Sequence, residues 1–453
     1  MSNFTVTKEF IAELKIAVEA RQTEQVRNLL ADLHPEDVAE MLYDFNTEDS
    51  KFVIALFEGE YAVKILIEID EDTRDKFLTN YSSEEIAHQF IEFMDTDDVV
   101  AIIRSFPPKL KDEIIAHVTD HTFAANIISL LNFDEDTAGG LMAKELVKVN
   151  ENRNVAQCID EIRAQAEEVN NVYTVYVVDD NDRLKGLISL KSLILARANE
   201  RIANIMIHDV VAVPTHAASE EVSSIMDKYN LVVLPVVDAI GRLVGRITID
   251  DVVEVIKEEA EKDYELMSGI TESVESTDKV WVLSRARLPW LLIGLLGGII
   301  SSRVIGVYEN QLKIHPEMAF FIPLIAAMGG NAGVQSSAII VKGLANNTLG
   351  TRDIFPKIAK EFMVALINGL VCSIIILTYN LFMSDSIDLS LTVSVALITV
   401  IIFASILGTF VPMLLDRMKI DPALATGPFI TTTNDLLGLA VYFLVGRLLY
   451  ATF

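Results

Sequence analysis

Cysteine is nearly missing from these 453 residues: Cys158 and Cys372 are the two, and they fall in different halves of the chain. A pair so placed cannot build a disulfide framework, which excludes the small stapled secreted scaffolds. Basic residues are scarce as well, with 37 Lys and Arg against 65 Asp and Glu. The shortage is local. Residues 1–287 hold 28 basic and 56 acidic side chains, whereas residues 288–453 hold nine of each, so the net charge of −28 belongs to the first part alone. Such a surface repels nucleic acid and anionic lipid and attracts cations, so no nucleic-acid partner is expected. An acidic coat that only keeps the chain soluble would carry the same charge. The N-terminus opens polar and acidic, without a secretory signal, which puts the first part in the cytoplasm as an expectation. No His or Cys cluster has zinc or copper spacing, and no nucleophile–base pair, P-loop or metal-hydrolase motif is present. An enzyme is therefore not expected.

Residues 1–133 read as short acidic helices in succession, with apolar residues at helical spacing in Val38, Met41 and Leu42, in Phe52, Val53 and Leu56, and in Ile86, Phe90 and Ile91. Helix starts are marked by Pro35-Glu36-Asp37 and by the capping box Ser82-x-x-Glu85. No segment alternates like a strand, and a stacked, superhelical arrangement follows. Then comes an internal repeat. VVDDNDRLKGLIS (177–189) matches VVDAIGRLVGRIT (236–248), pairing Asp179 with Asp238, Arg183 with Arg242 and Gly186 with Gly245. Each copy reads strand, turn, strand, helix, preceded by the β-branched runs VYTVYVV and LVVLPVV and by helical stretches at 154–168 and 219–229. The copies occupy 134–203 and 204–257 as one α/β domain. An acidic helix over 249–280, counted as a connecting segment at 258–284, leads to Arg285, Arg287 and Trp290 at a membrane interface.

Five apolar stretches follow, near 288–307, 318–341, 362–383, 389–415 and 423–446, each long enough to cross a bilayer, so that residues 285–453 form an all-α membrane domain. Lys342, Arg352, Lys357 and Lys360 lie between the second and third stretches, and Arg417 and Lys419 between the fourth and fifth. The other two loops have little beyond Lys313 and Arg303. By the positive-inside rule the N-terminus is cytoplasmic and the C-terminus outside, with Arg447 an exception.

Asp435 is the only acid after Pro422 and lies inside the fifth stretch. A carboxylate in hydrocarbon is costly and normally faces a water-filled path or a partner; a protonated, packed Asp is the plainer alternative. Thr431, Thr432, Thr433 and Asn434 precede it, and Gly427-Pro428 is expected to interrupt the helix. The second stretch is expected to be broken by GGNAGVQSS (329–337), with Asn331 and Gln335 lining a polar passage. Small-residue helix packing accounts for the glycines equally well. Hard oxygen ligands favour Mg²⁺ or Ca²⁺, and Mg²⁺ gives up its water reluctantly, which suits a wide polar pore around a hydrated ion.

The chain resembles the MgtE family of magnesium channels over nearly its whole length, through domain order and the motifs EDTAGGLM (135–142), GGNAGVQSS and DPALATGPFITTTND (421–435). The resemblance identifies the repeat as a pair of CBS domains. It implies a multi-pass protein of the cell membrane, embedded in lipid, and a homodimer with the pore between subunits. Asp435 matches the family's pore carboxylate, and Thr431, Asn434, Gly427, Asn331 and Gln335 are the accompanying pore-lining positions. Gly427 stands where some members carry Asn. The family also uses cytoplasmic Mg²⁺ as its own inhibitor, held between acids of three elements. The matching positions are Asp97 on the helical domain, Glu220, Asp227, Asp251 and Glu254 on the second CBS unit, and Glu259 and Asp263 on the connecting helix. Ala101, Asn230 and Lys262 replace acids elsewhere in that set. CBS pairs often bind adenine nucleotides through Gly-x-x-Thr/Ser-x-x-Asp. Gly245, Thr248 and Asp251 keep that spacing for ATP, whereas the first copy has Gly186 and Ser189 followed by Ser192. A carrier of Co²⁺, Mn²⁺ or Ca²⁺ satisfies the same residues. A nucleotide sensor on a membrane anchor does not, because an anchor needs one helix and has no use for Asp435.

Overall fold

A computed structural model describes residues 8–69, 71–166, 169, 171–272, 274, 279–345, 354–383 and 386–451. The chain divides into two compact units, Met1–Ile256 and Lys257–Phe453. Arg352, counted among the loop charges, lies outside the described residues.

The first unit opens with short helices from Lys8–Glu19 to His121–Leu130, each of 7 to 12 residues. None could hold together alone, and they share one apolar core containing Val38, Met41, Leu42, Val53, Leu56, Ile86, Phe90 and Ile91. The local signals act as the sequence indicates. Pro35 stands in the first turn of Pro35–Leu42. Ser82 N donates to Glu85 Oε2 at 2.8 Å while Glu85 N donates to Ser82 Oγ at 3.2 Å, which closes the capping box. Helix α1 (Thr96–Arg104) carries Asp97 and Asp98 in its first turn.

The repeat folds into two three-stranded sheets of the same design. Strand β1 (Val147–Asn150) pairs parallel with β2 (Val175–Val178), which pairs antiparallel with β3 (Leu184–Ile188). Strands β4 (Val213–Pro214), β5 (Val233–Val237) and β6 (Leu243–Thr248) repeat the order. The shared residues have structural jobs. Asp179 Oδ1 accepts from the N–H groups of Asn181 and Arg183, and Asp238 Oδ1 from those of Ile240 and Arg242, so each closes the turn between its strands. A Cβ on Gly186 would come 2.8 Å from Ile207 O, and one on Gly245 2.8 Å from Ala143 O. Helix α2 (Ser219–Tyr229) ends at Asn230, which caps it in the left-handed region at φ 51°. The motif EDTAGGLM is a tight turn as well. Thr137 Oγ1 donates to Asp134 O at 2.6 Å, and Ala138 N donates to Ala217 O at 2.8 Å.

Helix α3 (Ile249–Ser268) leaves β6 directly and stops at Gly269, whose φ of +77° favours glycine. Ile270 N donates to Glu265 O at 2.9 Å, the bond pattern of a Schellman cap. The connecting helix is thus shorter than the expected run to 280, because its acids continue past a glycine stop.

The second unit contains five long apolar helices among the described residues: α4 (Val280–Val307), α5 (Ile322–Ala345), α6 (Ile354–Met383), α7 (Ile387–Arg417) and α8 (Gly427–Tyr450). Two expectations are corrected. Helix α5 runs unbroken through GGNAGVQSS, and its glycines are contact points. A Cβ on Gly408 of α7 would come 2.3 Å from Gly333 O, and one on Gly333 1.7 Å from Asn434 Nδ2. Gly427 and Pro428 do not interrupt α8 but begin it, with Gly427 at φ +52° and Pro428 in the first turn, where no N–H is needed. Gly408→Ala should therefore lower the melting temperature of the detergent-solubilised protein by an amount equivalent to about 1–3 kcal/mol of overpacking. Gly294→Ala, with nothing within 4 Å of the added carbon, should leave it within about 1 kcal/mol.

Candidate cation sites

The pore candidate is a face of the second unit. Asn331 and Gln335 lie one helical turn apart on α5 and are exposed on the bundle's surface. Half-buried Thr431 and Asp435 lie against Gly330, the residue before Asn331: a Cβ there would sit 3.4 Å from Asp435 Oδ1 and 3.5 Å from Thr431 Cγ2. Thr431 Oγ1 donates to Gly427 O at 2.9 Å, so the threonine is tied to the first turn of α8. Asn434 was expected on this face and is not. It has no accessible surface and lies against Gly333 inside the bundle, so it lines no passage outside the protomer.

The first turn of α8 also touches the end of α3. A Cβ on Gly427 would come 2.2 Å from Met267 O, and one on Gly269 2.5 Å from Pro428 Cγ. Gly427 lies on the Met267 backbone and Gly269 on the Pro428 ring, and both sit at positive φ, so neither position has room for a side chain.

The second candidate lies at the seam between α1 and the CBS pair. Asp95, Asp97 and Glu145 offer carboxylate oxygens all within 4.8 Å of one another. Burial, with Asp251, Asp98 and Asp95 nearby, holds Asp97 well above the usual carboxylate range. Asp98 is pushed up to about 7, by burial first and then by Asp251, Asp95, Glu254 and Asp250. Burial brings Asp251 to about 6, against two hydrogen bonds from Thr248, from N at 2.8 Å and Oγ1 at 2.6 Å. One cation is built in. Buried Arg246 on β6 pairs with Asp95 at 3.1 Å and donates through Nε to Glu145 O. Glu145 Oε2 also accepts from Thr96 N at 3.2 Å and Thr96 Oγ1 at 2.9 Å.

Among the expected regulatory acids, the structure brings together Asp97, Asp251 and Glu254. Glu220 and Asp227 are exposed on α2 and are not among the charges that press on Asp97, Asp98 or Asp251. Glu259 and Asp263 continue along α3 in the second unit. Sequence reasoning missed Asp95, Asp98, Glu145, Asp250 and Arg246. The run DTDD at 95–98 and the lone base in the strand LVGRIT were the available signals. Glu361 was missed as well: it accepts from Ser336 Oγ at 2.6 Å, linking α6 to α5.

Comparison with known proteins gives this geometry its context. A family described as "Divalent cation transporter" matches residues 322–445, "MgtE intracellular N domain" matches 33–136, and "CBS domain" matches 138–199 and 202–258. A magnesium transporter MgtE of Thermus thermophilus is 32% identical over 98% of this chain and 99% of its own. The chain belongs to the MgtE family of magnesium transporters. A Bacillus subtilis member is 27% identical over 96% of each chain. MgtE proteins are transporters and not enzymes, and the five apolar helices make this a multi-pass membrane protein. Among solved structures, the cytosolic domain of the Mg²⁺ channel MgtE in complex with ATP is 32% identical at a TM-score of 0.50, covering 54% of this chain and 99% of that one.

The seam makes a pH prediction. In the folded protein Asp98 and Asp251 keep their protons to about pH 7 and about pH 6, whereas an unfolded Asp loses its proton near pH 4. The folded state binds more protons across that window, so its metal-free stability falls as pH rises. The melting temperature of a fragment ending after α3 should drop between about pH 5 and about pH 7.5 in EDTA, and Mg²⁺ should raise it more at the higher pH. A metal-free midpoint that is flat or rising over this window would contradict the crowding.

Proposed function

We propose that this chain is a homodimeric Mg²⁺ channel of the cell membrane, importing Mg²⁺ past Asp435 and closed by cytoplasmic Mg²⁺ bound at the acidic seam. The observation that carries the gating reading is the crowd of Asp97, Asp98 and Asp251, half-buried carboxylates from two domains with Arg246 as the nearby base. Ionised together they repel, and a divalent cation relieves that repulsion only while α1 and the CBS pair stay docked. Binding then favours the docked state and shifts the equilibrium toward it. Asp97, Asp251 and Glu254 are the proposed core of this set, with Asp95, Asp98 and Glu145 beside them. Glu220, Asp227, Glu259 and Asp263 are proposed from the family pattern alone.

The route to the pore runs through α3. Its last turn lies against Gly427 and Pro428, the first residues of the helix that carries Asp435, so a shift of α3 acts on the pore helix directly. The homodimer reading is supported by two faces that water or lipid would serve poorly. Polar Asn331 and Gln335 are exposed on a membrane helix, and Ile194, Leu195, Val253 and Ile256 are exposed apolar residues of the CBS pair. Two Asp435 carboxylates facing one axis select a divalent ion. The N-terminus is cytoplasmic and the C-terminus outside. ATP is proposed for the second CBS unit, at Thr248 and Asp251. Thr248 N and Oγ1 both donate to Asp251 Oδ2, which leaves Oδ1 as the acceptor for a ribose hydroxyl.

Uptake into proteoliposomes tests the pore. Asp435→Ala should reduce Mg²⁺ entry by at least about a hundredfold while the protein still elutes as a folded species. Full uptake would remove Asp435 from the path. Neutralising Asp97, Asp251, Glu259 and Asp263 together should leave uptake insensitive to millimolar Mg²⁺ inside the vesicles, and normal inhibition would reduce the acids to a solvated surface. For nucleotide, calorimetric titration of metal-free protein with ATP should give saturable heat that Thr248→Ala diminishes. No heat at millimolar ATP would dismiss the site.

A further inference from the structure

Helix α8 buries a stripe that returns every four residues: Ile430, Asn434, Gly438 and Tyr442. Three of these are ordinary packing residues and one is out of character. Asn434 has no accessible surface, and among the described residues neither its Oδ1 nor its Nδ2 finds a hydrogen-bond partner. Leaving such a group unpaired is unfavourable, so its presence needs a reason other than stability.

The reason lies in the shape of its seat and in its neighbour. A Cβ on Gly333 would come 1.7 Å from Asn434 Nδ2 and 2.9 Å from Cγ, so the amide lies directly on bare backbone. From the other side Gly408 presses on Gly333, where its own Cβ would come 2.3 Å from the carbonyl oxygen. Helices α5, α7 and α8 thus meet at one level without space for a methyl group. Asp435 is the next residue, turned about 100° round the helix. It lies beside Gly330, while Asn434 lies on Gly333. Two adjacent rows, 430/434 and 431/435, therefore rest on two glycines about one turn apart on α5, and the depth at which the first row seats sets the bearing of the second.

We propose that Asn434 is a positioning residue for ion passage: it touches no ion, and it fixes the rotation of α8 that aims the Asp435 carboxylate. This rests on the reading of Asp435 as the pore ligand. The test is the concentration dependence of Mg²⁺ uptake by the full chain in proteoliposomes, with Asn434→Ala, Gly333→Ala and Asp435→Asn compared at equal amounts of folded protein. Asn434→Ala removes atoms and needs no extra room, so it keeps the test open should Gly333→Ala fail to fold. Both should raise the half-saturating Mg²⁺ concentration by between about tenfold and about a hundredfold, with a smaller change in maximal rate. An unchanged half-saturation with a lower yield or lower maximal rate would show a packing residue and overturn the proposal. Wild-type behaviour of Asn434→Ala beside a defective Asp435→Asn would overturn the positioning role alone. Normal uptake by Asp435→Asn would overturn the pore reading, and this inference with it.

Discussion

Repulsion between carboxylates that cannot all stay ionised is the constraint on which the N-terminal unit of this protein turns. Asp97 and Asp98 begin a helix of the N-terminal domain, and Asp251 begins the helix that leaves the second CBS unit. Docking these elements drives the acids together out of water, which is why Asp97 lies well above the usual carboxylate range and Asp98 is near 7. Arg246 and the Thr96 cap on Glu145 stabilise the seam without neutralising it. Acids crowded in this way repel once ionised, and a cation bound among them would relieve that repulsion.

The membrane unit depends on the opposite device, the removal of side chains. Gly333, Gly408, Gly330 and Gly427 let helices α5, α7, α8 and the end of α3 approach until backbone or a flat amide fills the gap. Tight crossings of this kind rotate or slide as wholes and do not deform smoothly. The contact of Met267 with Gly427 lies at the foot of the helix that bears Asp435.

Features encoded by neighbours in sequence were legible. The repeat, the capping box at Ser82 and the five apolar helices all follow from local pattern. Glycine was ambiguous, since close helix contact and helix breakage leave the same mark. GGNAGVQSS was therefore read as a break where α5 is continuous, and Gly427 as an interruption where α8 begins. The spans were read short at some ends, because α4 and α6 carry basic residues such as Arg285 and Lys357 near their starts that a hydropathy pattern discards. The seam was only half visible. Asp95 and Arg246 meet across 151 positions, and no spacing rule links residues so far apart. Asn434 was read as pore-lining because helical spacing cannot say which face of a polar run looks outward.

The most direct test of the account is a current recording from the purified protein in a planar bilayer while Mg²⁺ is stepped on the cytoplasmic side alone. The open probability should be high without Mg²⁺ and fall through the millimolar range. Asp97→Asn with Asp251→Asn should shift that fall to higher concentrations at unchanged single-channel current. An open probability indifferent to cytoplasmic Mg²⁺, or a double substitution that changes the current and leaves the concentration dependence in place, would contradict it.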